Sequence, residues 1–242
     1  PMGSAIFRAD GSVRLGMGRI MRCISFATYL NNFDFGSTFV VKNMESKIAE
    51  VISGHGFQVE YLPNGVTVEE ESHIINAIAE RITASLIITD VFIRPVSDHL
   101  ARLQTFHSLL NSKYFRIGFT SSIVDHVAAD LLICPYFGSV PNMPVPEAKP
   151  KWLVGPDYFI FRDEFVRAAE QERQINDVCS QVLVTIGGSD ELHLTTKIAN
   201  AVKALETKPV HLYIVSGAGY TRRLKKEIVD SLKDYSSWYQ LM

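Results

Sequence analysis

The sequence predicts an α/β fold of two Rossmann-like units, each built on an open, largely parallel sheet. Three observations lead there. Short β-branched runs alternate with longer segments of helical period, a glycine-bearing turn follows the first strand of each half, and a proline-rich stretch separates the halves.

Taken in order, a strand pattern around Ile6 runs into a glycine turn and then a helix over about 19–29. Residues 37–41 read as a second strand and 44–53 as a helix that Gly54 and Gly56 close. A third strand over 57–61 precedes a helix over 69–84, in which Ile74, Ile75, Ala77, Ile78 and Ile82 recur at helical spacing behind a run of acids that suits the helix dipole. The run 86–89 is a buried strand ending in the carboxylate of Asp90, followed by a helix over 97–111 and strands over 114–119 and 130–134. Residues 135–150 hold five prolines in sixteen positions and read as a linker or crossover. Beyond it come a strand over 181–186, the turn Gly187-Gly188-Ser189, a helix over 192–205, a strand over 210–215 and a helix over 220–234. The expected organisation is a first unit over 5–134, a linker and crossover over 135–180, and a partial second unit over 181–242, short or truncated. Such a unit leaves an open sheet edge near 210–215, which predicts self-association through that edge or its cover by further residues.

Composition bounds the class. A chain of 242 residues with 47% hydrophobic and 21% charged side chains has enough apolar material for a sizeable core. A formal net charge of -2 supplies no basic surface of the kind that holds nucleic acid by neutralising phosphates, so nucleic acid is excluded as a partner. Cys23, Cys134 and Cys179 lack CxxC spacing and read as buried thiols of a reducing compartment. The seven histidines are dispersed: His99 and His107 lie eight apart on one helix, His126 lies in a loop, and no HxxxH or HExxH occurs, so neither a metal nor another cofactor is expected. No apolar run approaches the roughly 18 residues of a bilayer span and no secretory core is present, which predicts a cytoplasmic protein without a membrane partner. Residues 1–4 resemble the scar of a cleaved expression tag, so native sequence is read from about Ala5.

The chemistry concentrates at the two turns. In Gly11-Ser12-Val13-Arg14-Leu15-Gly16-Met17-Gly18, the glycines let the backbone turn tightly and approach a ligand, and the helix that follows offers unpaired N–H groups and a positive dipole end. Arg8, Arg14, Arg19 and Arg22 surround that turn with fixed positive charge. Asp10 and Asp90 sit at the carboxyl ends of their strands, where open α/β sheets place ligands. Asp10 either meets a ligand hydroxyl or water, or pairs with Arg8 or Arg14. Asp90 either serves the cleft or forms an ion pair with Arg19. In the second half, the backbone of Gly187, Gly188 and Ser189 suits a phosphate-sized anion or simply caps a helix, and Asp190 caps that helix or faces a ligand hydroxyl. Trp152 and the aromatic residues over 159–165 read as packing anchors.

Residues 7–23, of the form FRADGSxxxGMGRxMRC, together with 153–165 and Val182-Leu183-Val184-Thr185-Ile186-Gly187-Gly188-Ser189-Asp190, resemble the UDP-diacetamido-trideoxy-altrose hydrolases of pseudaminic and related nonulosonic acid biosynthesis, and the similar spore-coat polysaccharide biosynthesis proteins. The resemblance implies a GT-B-like architecture with two units facing a cleft, a UDP-sugar as small-molecule partner, and water attack at the anomeric carbon with UDP leaving. In that reading the candidate catalytic residues of this chain are Asp10, Arg19 and Asp90, with Asp10 or Asp90 activating water and Arg19 holding the diphosphate, and the candidate substrate contacts are Arg8, Gly11, Gly16, Met17, Gly18, Arg22, Gly187, Gly188, Ser189 and Asp190. One departure touches the chemistry: where the family carries GxGH, with the histidine taken to activate water, this chain has Arg19, and an arginine keeps its proton. Further departures are Phe92 after Asp90 and Gly118-Phe119-Thr120-Ser121-Ser122 where the family places paired aspartates. The alternatives are a non-catalytic nucleotide-sugar-binding relative and a GT-B-like glycosyltransferase.

Overall fold

The computed structural model describes residues 3–12, 16–42, 46–91, 96–120, 128–136, 151–204, 210–217, 219–233 and 239–242. The chain divides into two compact units, one of residues 1–10 and 18–168 and one of 11–17 and 169–242.

The first unit is a seven-stranded parallel sheet with helical crossovers. In chain order it contains β1 (Gly3–Ala9), α1 (Gly18–Asn31), β2 (Phe35–Lys42), α2 (Ser46–Gly54), β3 (Gln58–Leu62), α3 (Val68–Arg81), β4 (Leu86–Asp90), α4 (Val96–Leu109), β5 (Phe115–Phe119), β6 (Leu131–Cys134) and β7 (Lys151–Val154), and after these a short helix α5 (Asp163–Ala169). The strand order is β3-β2-β1-β4-β5-β6-β7, so the direction of winding reverses between β1 and β4. In open α/β sheets ligands bind at such a reversal, outside the carboxyl ends of the strands.

Strand β1 carries the apolar run Ala5-Ile6-Phe7 because both of its faces are covered. On one side, Phe7 stacks on Phe39 of β2 with centroids 5.1 Å apart and meets Phe26 of α1 edge-on at 5.8 Å. On the other, Ile6, Val40 and Ile87 pack beneath Ile75 and Ile78 of α3 and Phe106 near the end of α4. Helix α3 starts at a capping box in which the Thr67 hydroxyl accepts from the Glu70 N–H and the Glu70 carboxylate accepts from the Thr67 N–H.

The second unit contains β8 (Gln181–Thr185), α6 (Leu194–Lys203), β9 (His211–Val215), α7 (Arg222–Ser231) and β10 (Tyr239–Leu241), with parallel order β10-β9-β8. It repeats the order β3-β2-β1 of the first unit. Its core is Val184, Ala199, Leu212, Ile214, Tyr220, Leu224, Ile228 and Leu232.

The structure departs from the sequence reading in several places. Lys151–Val154, within the expected linker, is a strand that pairs with β6. Gly3 and Ser4, left out of the fold reading, lengthen β1 and pair with Phe35 and Gly36 of β2. The edge expected near 210–215 is not an edge: β9 lies between β8 and β10, because Tyr239–Leu241 adds a third strand. Both missed strands are only three or four residues long, too short to show an alternating pattern. Trp152 is buried as expected, whereas Phe159, Phe161 and Phe165 are exposed, and Cys179 is exposed while Cys23 and Cys134 are buried.

Candidate functional site

At the carboxyl edge of the first sheet, charged side chains form two groups on either side of the β1–β4 reversal. The first is centred on Arg8, which points from β1 into the interior and is 1% exposed. Its two terminal nitrogens donate to the two oxygens of Asp10, Nη1 to Oδ1 at 2.6 Å and Nη2 to Oδ2 at 2.9 Å, and its Nε donates to Glu71 Oε1 of α3. Lys42, at the end of β2, brings Nζ within 3.6 Å of Glu71 Oε2. Burial acts to raise the Asp10 pKa, but the charge and hydrogen bonds of Arg8, with help from Lys42, overcome it and hold the carboxylate below its usual range. Asp10 therefore stays ionised and is a weak base. Of the alternatives open for Asp10, the structure shows pairing with Arg8; Arg14 lies outside the described residues.

The second group surrounds Asp90 at the end of β4. Arg22 of α1 grips it in a fork, Nε donating to Oδ2 at 2.7 Å and Nη2 to Oδ1 at 2.9 Å. Arg19 Nε lies 3.7 Å from Oδ1, and the Cys23 thiol reaches Oδ2 at 3.9 Å. Arg22 also donates from Nη1 to the Tyr136 hydroxyl at 2.9 Å, and its guanidinium lies 4.7 Å from the centre of the Phe119 ring. Burial raises the Asp90 pKa above its usual value, opposed by Arg22 and Arg19. Burial, with the charge of Asp90 added, also pushes the Cys23 thiol well up, so Cys23 is no nucleophile.

The structure thus brings Arg8 to Asp10, and Arg19 and Arg22 to Asp90. Gly16 has φ +82°, the left-handed region that glycine tolerates, and its N–H donates to the Ser12 carbonyl at 2.7 Å. Gly11 is buried, Met17 is half-buried, and the exposed Gly18 opens α1.

The second unit carries the other predicted turn. Gly187 has φ +113°, and the turn packs against Gly217 so closely that a Cβ there would lie 2.2 Å from the Gly187 carbonyl oxygen. The Gly219 N–H donates to the Gly188 carbonyl at 2.7 Å. Asp190 caps α6, its oxygens accepting from the Leu194 and Thr195 N–H groups at 2.8 Å each. Those two helix N–H groups are occupied by a carboxylate of the chain itself.

Sequence reasoning missed Lys42, Glu71, Tyr136 and Gly217. Glu71 had a signal: it sits one helical turn before Ile75 and two before Ile78, on the buried face of α3, although it reads at first as one of three acids facing the dipole. His126, Phe92, Ser121 and Ser122 lie outside the described residues. Among the described residues no group of three His, Cys, Asp or Glu side chains suits a metal ion, and no helix is long and apolar enough to cross a membrane.

The chain superposes on MurG of Acinetobacter baumannii with a TM-score of 0.58 at 11% identity, covering 99% of this chain and 67% of that one. It superposes on a glycosyltransferase of Rickettsia africae with a TM-score of 0.60 at 10% identity, covering 99% and 68%. The architecture is GT-B-like. A UDP-GlcNAc 2-epimerase of Neisseria meningitidis, solved with UDP-GlcNAc, gives 0.53 at 10% identity, covering 99% and 71%. In sequence, the chain is 24% identical over 236 residues to an uncharacterized protein of Methanocaldococcus jannaschii, covering 94% of this chain. It spans 45% of that protein's length. No family profile matches the chain.

Proposed function

We propose that the protein acts on a nucleotide-sugar, breaking the bond between the anomeric carbon and UDP with water as acceptor. The observation that carries this reading is the pair of charge groups at the β1–β4 reversal, which place Asp10, Arg19 and Asp90 at the sheet edge where this architecture receives ligands. The GT-B-like fold and the resemblance of three separate segments to UDP-sugar hydrolases support it. In this reading Arg19 takes an anionic oxygen of the substrate, and within the second unit, taken by itself, the backbone of Gly187-Gly188-Ser189 is a separate candidate anion contact. Asp90 is the better proton acceptor of the two carboxylates because burial raises its pKa whereas Arg8 lowers that of Asp10. Water gives a proton to the carboxylate, its oxygen bonds to the anomeric carbon, and the electron pair of the broken C–O bond leaves with UDP.

A second reading is glycosyl transfer to an acceptor hydroxyl. It is favoured by the fork between Arg22 and Asp90, which occupies both carboxylate oxygens and weakens water activation there. Incubation with a panel of UDP-sugars, following UDP release with and without added sugar acceptors, separates them. Release without acceptor supports hydrolysis, release only with acceptor supports transfer, and neither binding nor release sinks both.

A further inference from the structure

The parallel register places the ends of β4, β1 and β2 side by side, with Ala9 opposite Asp90 and Arg8 opposite Val40, so Asp10 and Lys42 face one another one strand spacing apart. The Lys42 backbone N–H donates to the Asp10 carboxylate, and the Lys42 charge acts on it as well. Behind them lie the buried partners that fix both: Arg8 saturates one side of Asp10, and Glu71 attracts the Lys42 ammonium. At 3.6 Å that attraction is longer than a hydrogen bond, so the Lys42 donors are not consumed by Glu71. Lys42 is 31% exposed and Asp10 16%, against 2% for Arg8 and 9% for Glu71, so the two outer groups meet solvent while the inner two do not.

The charges of the quartet balance, two cations against two carboxylates. A neutral cluster has little to offer a diphosphate, and the half-buried carboxylate of Asp10 repels one. An adjacent fixed acceptor and fixed donor instead match neighbouring hydroxyls of a sugar, each of which both gives and takes a hydrogen bond. We propose that Lys42 and Asp10 form a hydroxyl-reading pair for the sugar portion of the substrate, Asp10 accepting from one hydroxyl and Lys42 donating to its neighbour. This rests on the nucleotide-sugar reading above and assigns Lys42 as a binding residue.

The test is calorimetric titration of the wild type, Lys42→Gln, Lys42→Met and Lys42→Arg with UDP-N-acetylglucosamine and, separately, with UDP. Lys42→Gln and Lys42→Met are expected to weaken the sugar nucleotide about tenfold and leave UDP unchanged, while Lys42→Arg stays close to wild type. Thermal melting of each variant checks that it is folded. If either neutral variant is folded and binds the sugar nucleotide as the wild type does, or loses UDP equally, the assignment of Lys42 is overturned while the functional reading stands. If the wild type binds neither ligand, both fall.

Discussion

At the carboxyl edge of the first sheet, position is set by charged side chains drawn from distant parts of the chain: Arg8 on Asp10 and Glu71, Arg22 on Asp90 and Tyr136. The β8–α6 corner of the second unit is held by main chain. Gly217 lets two turns touch, Gly219 donates to the Gly188 carbonyl, and the cap on α6 is local, from Asp190 to Leu194 and Thr195. The difference teaches what each kind of site tolerates. A buried charge cluster fails when one member is removed, because the others remain charged and out of water. A glycine corner fails when something is added.

The largest expected effect follows from the first half of that statement. Arg8→Met keeps the volume roughly but leaves Asp10 and Glu71 without their guanidinium, and the expected loss of stability is about 4 kcal/mol. Amide hydrogen exchange both measures and locates the loss: β1, β4 and α3 should exchange faster while β8 and β9 keep their protection. A loss below about 1 kcal/mol would mean the cluster behaves as a solvated surface pair, and the contrast between the two regions would disappear.

These two regions were unequally legible in the sequence. The turns at Gly16 to Gly18 and at Gly187 to Ser189 were visible because a glycine pair between a strand run and a helix is a local signal. The sheet order was less so, but the alternation of periods sufficed for the parallel βαβ class. What was hidden was pairing over long separation. Arg8 reads as one of four cations around a loop, and only the fold reveals that α3 brings Glu71 across 63 positions to take its Nε. The same holds for Arg22, which reads as a ligand contact but spends three of its nitrogens on Asp90 and Tyr136. Charge in a sequence gives sign without direction, whereas glycine gives direction at once, since its use depends only on its own backbone and the next turn.

A pH experiment sharpens the comparison by asking whether a buried neutral group behaves as the charged cluster does. His107 on α4 is fully buried, and because the Thr89 hydroxyl donates to the Ile117 carbonyl, the 2.9 Å contact between them is a bond from His107 Nε2–H to Thr89 Oγ1. Burial, reinforced by the charge of Arg116, lowers its pKa to about 3 from an ordinary 6.5. Below pH 6.5 the unfolded chain takes up a proton at this position that the fold refuses, so stability is lost as pH falls from 6.5 toward 3 and levels off below. His107→Gln keeps an N–H donor and cannot titrate. Relative to that variant, the wild type should lose about 2 kcal/mol between pH 6.5 and about pH 4.5, read from denaturant titrations at each pH. Parallel curves for the two proteins would show that His107 is protonated inside the fold.

The smallest effect belongs to the glycine corner and tests the other half of the contrast. In Gly217→Ala the added methyl would sit 2.2 Å from the Gly187 oxygen and 2.5 Å from the Gly188 oxygen, both backbone atoms that cannot rotate away as a side chain would. The two turns must part, which puts at risk the bond from Gly219 to Gly188 and the φ of +113° at Gly187. The cost is expected near 2 kcal/mol, less than that of an orphaned charge because the strands β8 and β9 can separate slightly at their ends without exposing Leu212 or Ile214. Since the chain has two units, a single melting temperature would blur this, and amide exchange at Thr185 to Ser189 and at Ser216 to Tyr220 is the better measurement. Faster exchange confined to those residues, together with weaker UDP binding, ties the corner's shape to its use. Faster exchange with unchanged UDP affinity would leave the close approach of the glycines as a packing feature of the second unit and move the diphosphate contact elsewhere.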